Sequence, residues 1–195
     1  MRTSKYFRFI SCFLLALSFA GCVAYTVSEE AQPNANYAVY PPFAKDKKFI
    51  ISQGFNGSRT HTGEFNAYAV DFAMPENEPV CAAKAGTIES YNDADRPMPE
   101  DKNYRENNFV RIIHTDGTWG LYAHLLPGSI MVKPNQNVKL GECFARVGNT
   151  GYSTGPHLHF ALLKLLPDRF VSVPFRFVQP DGQVIKPKYL SWITN

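Results

Sequence analysis

The stretch Gly155-Pro156-His157-Leu158-His159-Phe160 constrains the fold more than any other part of the chain. In an extended strand successive side chains point to opposite faces, so His157 and His159 share one face while Leu158 and Phe160 anchor the other. Only five histidines occur in 195 residues, and two of them stand here. Such a pair is either a surface strand that happens to carry two histidines or the heart of a site where one imidazole holds a metal and its neighbour moves protons. The strand continues over residues 161–166. A glycine-rich turn, residues 148–155, leads into it. That turn lacks the Gly-Lys-Ser/Thr ending of a phosphate loop and opens a strand rather than a helix, so phosphate binding is excluded.

The remainder reads as short strands separated by turns. Residues 68–74 alternate, with Ala67, Ala69, Asp71 and Ala73 on one face and Tyr68, Val70 and Phe72 on the other. A carboxylate among small residues, opposite bulky apolar ones, suits a ligand position. Residues 79–83 and 86–91 form two further strands. Residues 109–114 and 118–124 flank Thr115-Asp116-Gly117, a strong hairpin signal. Residues 138–147 and 171–178 add more strand, while 92–107 is a charged, proline-containing loop suited to a cleft wall. No long amphipathic helix and no internal repeat is present, so the expected class is mainly antiparallel β.

Residues 1–21 read as a secretory leader. Arg2, Lys5 and Arg8 precede a mostly apolar run, residues 9–20, that is too short to span a membrane comfortably. Ser18-Phe19-Ala20-Gly21-Cys22 resembles a bacterial lipoprotein box, which makes Cys22 the lipidation site and implies a lipid anchor in a membrane. Val23 follows the cysteine, where an aspartate would resemble an inner-membrane retention signal, so the expected location is the periplasmic face of the outer membrane. An ordinary cleaved signal, giving a soluble periplasmic or secreted protein, is the alternative. Residues 22–48, polar and proline-punctuated, read as a tether, with Tyr37 to Phe43 as a stretch that can pack on the domain and the domain proper at 49–195. The chain has 20 basic and 17 acidic residues. The leader takes three of the basic ones and no acidic one, so the remainder is neutral and nucleic-acid binding has no support. Cys81 and Cys143 lie in strand-like stretches; in an oxidising compartment they form one disulfide or stay as two buried thiols.

A catalytic zinc site needs three protein ligands and an open position. The candidates are His61, Asp71, His124, His157 and His159; His114, beside the hairpin turn, is expected to be solvent-exposed and idle. Tyr122 shares a face with His124 and is a possible substrate contact, with packing in the core or groove as the alternative.

Three motifs bring a family into view. Tyr68-Ala69-Val70-Asp71-Phe72, Leu121-Tyr122-Ala123-His124-Leu125 and residues 148–160 together resemble the lysostaphin/LytM-type zinc endopeptidases, over residues 49–178. The resemblance implies a sandwich-like antiparallel β domain of the duplicated hybrid motif type that cuts peptide bonds in peptidoglycan stem peptides or cross-links. It implies one Zn2+ held by His61, Asp71 and His159, with His124 and His157 acting on the water and the transition state. The commonest pattern in that family places the first ligand four residues before the aspartate, where this chain has Ala67. His61 stands ten residues before Asp71 and resembles a subgroup with a longer segment. Without His61 as a ligand, the reading becomes a catalytically inactive cell-wall-binding module that regulates another peptidoglycan hydrolase. No Glu stands in a His-Glu-x-x-His helix, so histidine takes the place of the usual protease base.

Overall fold

Alternating apolar runs broken by Gly, Pro, Asn and Asp fold into short paired strands. In the computed structural model, which describes residues 37–93 and 107–195, these runs form β1 (Ala38–Val39), β2 (Lys48–Gln53), the single-turn helix α1 (Gly63–Asn66), β3 (Ala69–Ala73), β4 (Pro79–Cys81), β5 (Gly86–Asn92) and β6 (Phe109–Ile113). There follow β7 (Thr118–Ala123), β8 (Asn137–Val138), β9 (Cys143–Arg146), β10 (Leu158–Leu165), β11 (Phe170–Ser172), β12 (Arg176–Val178), β13 (Val184–Ile185) and β14 (Trp192–Thr194). The leader, Cys22 and most of the expected cleft-wall loop lie outside the described residues. Among the described residues, no helix is long and apolar enough to cross a membrane.

The His-x-His strand is central, as its apolar anchors demand. The main sheet runs β14-β2-β3-β10-β7-β6-β5-β8, with β11 also on β10. Strand β10 is antiparallel to both neighbours; His159 faces Asp71 on β3 and Ala123 on β7. Register alone thus brings three motifs, distant in sequence, to one end of three adjacent strands.

Leu158, Phe160 and Leu162 enter the main core with Val70, Phe72 and Tyr122. Ala161 and Leu163 enter a smaller cluster on the opposite face with Ala69 and Leu121, flanked by Trp119 and Phe170. Both faces of β10 are therefore covered. Phe43, Phe72, Phe160, Phe175 and Phe177 pack edge-on or tilted with ring centroids 5.2–6.3 Å apart. Each buried ring contributes about 1.5–3 kcal/mol by leaving water.

Several expectations are revised. The fold begins before residue 49: β1 pairs in parallel with β12, and Val39 and Phe43 are buried in the core. Their apolar side chains take residues 37–48 into the domain and shorten the expected tether. The run 171–178 is split into β11 and β12 around Pro174, which has no N–H to give a ladder. His114 is buried, not solvated, and its Nδ1–H donates to the Ala85 carbonyl at 2.9 Å. Burial holds its pKa below the usual histidine value. The hairpin forms as expected, with Gly117 at φ 74 and Asp116 Oδ1 accepting from the Thr118 N–H at 3.1 Å. Cys81 and Cys143 are opposite each other on β4 and β9 and form a disulfide.

Candidate metal centre

Asp71 and His159 meet because β3 and β10 are in register there, and His159 Nδ1 lies 2.9 Å from Asp71 Oδ1. His61 arrives from a different direction. After β2 the chain folds back on itself, the Gly57 N–H donating to Gly54 and the His61 N–H to Gly57. The displaced histidine is thereby returned to the strand ends, with Nε2 at 3.1 Å from Asp71 Oδ1. One ligand atom from each of His61, Asp71 and His159 lies within 4.8 Å of the others, and all three residues are buried. Gln53, opposite Asp71 at a bulge in β2, donates to Asp71 Oδ2 at 3.0 Å and to Thr60 Oγ1 at 2.6 Å.

The donors fit a cation on their own chemistry. His61 Nδ1 lies 2.9 Å from the Gly54 carbonyl and so carries the proton. In the neutral ring this leaves the Nε2 lone pair facing a carboxylate oxygen. Two acceptors confront each other, and something positive must sit between them. Two imidazoles and one carboxylate form the donor set of a catalytic zinc site, with three protein ligands and room for a fourth.

His124 and His157 stand beside this cluster, their rings 4.5 Å apart between centroids and tilted by 44°. Each has its Nδ1–H committed to the backbone: His124 to the Thr150 carbonyl at 2.7 Å, His157 to the Gly155 carbonyl at 2.9 Å. Ser153 Oγ lies 3.1 Å from the same His157 nitrogen. In the neutral rings the one remaining nitrogen of each, Nε2, carries a lone pair; that of His157 is 3.9 Å from Asp71 Oδ1. Burial first, then the neighbouring His157 and His159, lowers the His124 pKa to about 3, so this ring is neutral near pH 7. His124 also sits at φ 64, a left-handed conformation rare outside glycine. The turn it makes ends β7, and its carbonyl accepts from the Gly148 N–H at 3.0 Å. Backbone strain concentrated at a side chain of this kind is characteristic of functional positions.

Tyr122 is not at the surface of the site. It is fully buried, and its hydroxyl accepts from the Ala83 N–H at 2.8 Å, so the substrate-contact expectation is withdrawn in favour of core packing. The side chains that alternation placed on one face, Tyr122 and His124, diverge because of the left-handed turn at His124. Three residues support the site: Gln53, which carries no motif of its own, and Thr150 and Ser153, which stand inside the motif of residues 148–160 without an assigned role. Thr150 lies inside the glycine-rich turn, and its Oγ1 donates to the Leu125 carbonyl and accepts from the Asn108 N–H, each at 3.0 Å. The metal cluster and the histidine pair open into one cleft of about 1250 Å³, with Arg59, Phe65 and Tyr152 among its walls. That size suits an extended ligand rather than a single ion.

The model of Peptidase family M23 matches residues 65–170, a stretch that holds Asp71, His124, His157 and His159 but begins after His61. Among curated proteins, the chain is 36% identical over 127 residues to an uncharacterized metalloprotease of Haemophilus influenzae, covering 64% of this chain and 24% of that one. It is 34% identical over 116 residues to the peptidoglycan DD-endopeptidase ShyC of Vibrio cholerae, covering 58% and 24%. The match thus spans about a quarter of the length of these relatives. Among solved structures, a zinc containing peptidase from Vibrio cholerae superposes with a TM-score of 0.50 at 30% identity, over 69% of this chain and 39% of that one.

Proposed function

The chain belongs to peptidase family M23, and on that premise we propose that it is a zinc-dependent endopeptidase that hydrolyses peptide bonds in peptidoglycan stem peptides or cross-links. The observation that carries the reading is the convergence of His61 Nε2, Asp71 Oδ1 and His159 Nδ1 on one buried point, where two lone pairs face each other. The peptidoglycan DD-endopeptidase ShyC and the zinc containing peptidase from Vibrio cholerae, both similar to this chain, support it.

In this reading His61, Asp71 and His159 hold the metal. When bound, a zinc ion would polarise the scissile carbonyl and ease loss of a proton from the attacking water. His124 and His157 handle the proton and the developing oxyanion. Each is pinned through Nδ1–H to a backbone carbonyl, so only Nε2 takes part. As a free base it accepts a proton; once protonated it donates a hydrogen bond to negative charge. Gln53 fixes the second Asp71 oxygen and so the orientation of the carboxylate.

We extend the proposal to the chain's location. The basic n-region, the short apolar run and the Ala20-Gly21-Cys22 ending support cleavage before Cys22 and acylation of that cysteine. The enzyme would then work from the periplasmic face of the outer membrane on peptidoglycan beneath it, and mass spectrometry of the mature N-terminus reads this directly. For the activity, purified protein is expected to hold one zinc per chain, to release soluble fragments from peptidoglycan, to stop with chelator and to recover with zinc. His159→Ala should abolish both zinc retention and release. Lysis at an undiminished rate by that variant, or wild-type protein without stoichiometric metal, would refute the reading; the second result would leave an inactive cell-wall-binding module.

A further inference from the structure

A second groove, of about 920 Å³, lies where the loop that delivers His61 meets residues 174–176 and 186–189. Four cationic side chains line it, Arg59, Arg176, Lys186 and Lys188, and no Asp or Glu does. All four are exposed, and none enters an ion pair among the described residues. Elsewhere Lys47, Lys84, Arg111 and Arg169 are each matched with a carboxylate. Beyond residue 21 the chain has as many acidic as basic residues, so this is segregation of charge and not an excess. Like charges gathered in a concavity repel one another and focus a positive potential, which an incoming anion relieves. Tyr189, 66% exposed, adds an aromatic ring at the lip.

The groove is joined to the candidate catalytic cleft. Ser52, Gln53 and Arg59 line both, and Gln53 also holds Asp71. A chain seated in one can run into the other. Apart from Tyr68, every residue of the groove wall lies outside residues 65–170, the stretch matched by the family model. The groove is a feature of this chain's own flanking segments.

The geometry points to a substrate subsite: the groove receives a carboxylate-bearing part of the peptide whose scissile bond lies at the metal centre. The inference rests on the endopeptidase reading and adds that the preferred substrate is an acidic peptide. A neutral sugar would leave the four cations without partners.

The test uses two synthetic cross-linked peptides, identical except that the side carboxylates are free in one and amidated in the other. Replacing two exposed cations (Arg176→Gln with Lys186→Gln) should raise KM for the acidic peptide about three- to tenfold, leave its kcat unchanged and leave the amidated peptide unaffected. For the wild-type protein, raising salt from about 50 to about 300 mM should raise KM for the acidic peptide alone, a readout that needs no variant. Equal KM values for the two peptides, or equal losses on both, would overturn the subsite. Equilibrium binding of both peptides to a His157→Ala protein separates the two claims. Salt-sensitive preference for the acidic peptide without wild-type cleavage of either keeps the groove and removes the endopeptidase. Cleavage of both without preference does the reverse. If phosphatidylglycerol vesicles bind through Arg176 and Lys186 while the two peptides bind alike, the groove takes a phosphate headgroup and the subsite is refuted.

Discussion

Replacing Thr150 by valine keeps the shape of a buried side chain and removes one hydroxyl. That hydroxyl donates to the Leu125 carbonyl and accepts from the Asn108 N–H, each at 3.0 Å, while the Thr150 carbonyl accepts from His124 Nδ1 at 2.7 Å. The residue is 4% exposed, so water does not readily replace the lost partner. Each backbone group stripped of this bond costs about 1–2 kcal/mol, together roughly 2–4 kcal/mol. For a domain of this size that lowers Tm by about 5–15 °C, measured by circular dichroism at fixed zinc because bound metal itself shifts Tm. The carbonyl that orients His124 moves with the loosened turn, and kcat on peptidoglycan fragments should fall roughly 10- to 100-fold. Thr150→Ser keeps the hydroxyl, loses one methyl, costs about 1 kcal/mol and should keep kcat. A valine variant that melts and turns over like wild type would refute the reasoning, since the hydroxyl would then not hold the turn.

Removing the disulfide with Cys81→Ala and Cys143→Ala reopens a loop of 62 residues, which should cost about 4 kcal/mol of stability in urea unfolding. Gly148→Ala would place a Cβ 2.5 Å from the Leu126 backbone nitrogen, and the overpacking should cost about 1–3 kcal/mol by the same assay. The hairpin gives a pH signature. Partial burial raises the Asp116 pKa, but the Lys84 ion pair and Thr118 outweigh it and bring it from 3.8 to about 2. The pKa is depressed on folding, so the stabilisation is present above pH 3.8 and is lost as pH falls through about 2. Both side chains are about a third exposed, so solvent screening leaves about 0.5–1 kcal/mol between wild type and Lys84→Met at pH 6. That gap should close by about pH 2, and a gap independent of pH would contradict the ion pair.

Local signals in this sequence survive folding well. The Asp-Gly turn, the His-x-His alternation and the run around Asp71 each need only a few neighbouring residues to act, and each forms where its pattern predicts. The meeting of His61 with Asp71 is different. It depends on a loop whose hydrogen bonds run from His61 to Gly57 and from Gly57 to Gly54, and no periodicity encodes such a path. Resemblance to a family pointed to His61; the loop geometry explains how it reaches the site. Gln53 was invisible because its position opposite Asp71 depends on a bulge in β2. Tyr122 misled because alternation holds only while the backbone stays extended, and His124 at φ 64 breaks it. A strand end beside a hairpin turn points to solvent exposure for His114, yet Gly86 and Gly120 leave room for its ring against the sheet.

The last residue binds the segment where the described fold begins. Asn195 exchanges main-chain hydrogen bonds with Asp46 and Lys47, its side chain donates to the Phe43 carbonyl, and β1 lies along β12 nearby in sequence to Pro174 and Phe175. If the chain is anchored through Cys22 as proposed, engaging a polymer network in the cleft would place it under tension. Force entering at Tyr37 would pull β1 along β12 and load the Asn195 contacts before it reached β2, whose Gln53 steadies Asp71. Under the proposed lipid anchoring, those bonds would act as a strain relief: the N-terminal side could yield by one short strand while the geometry of the metal ligands is kept.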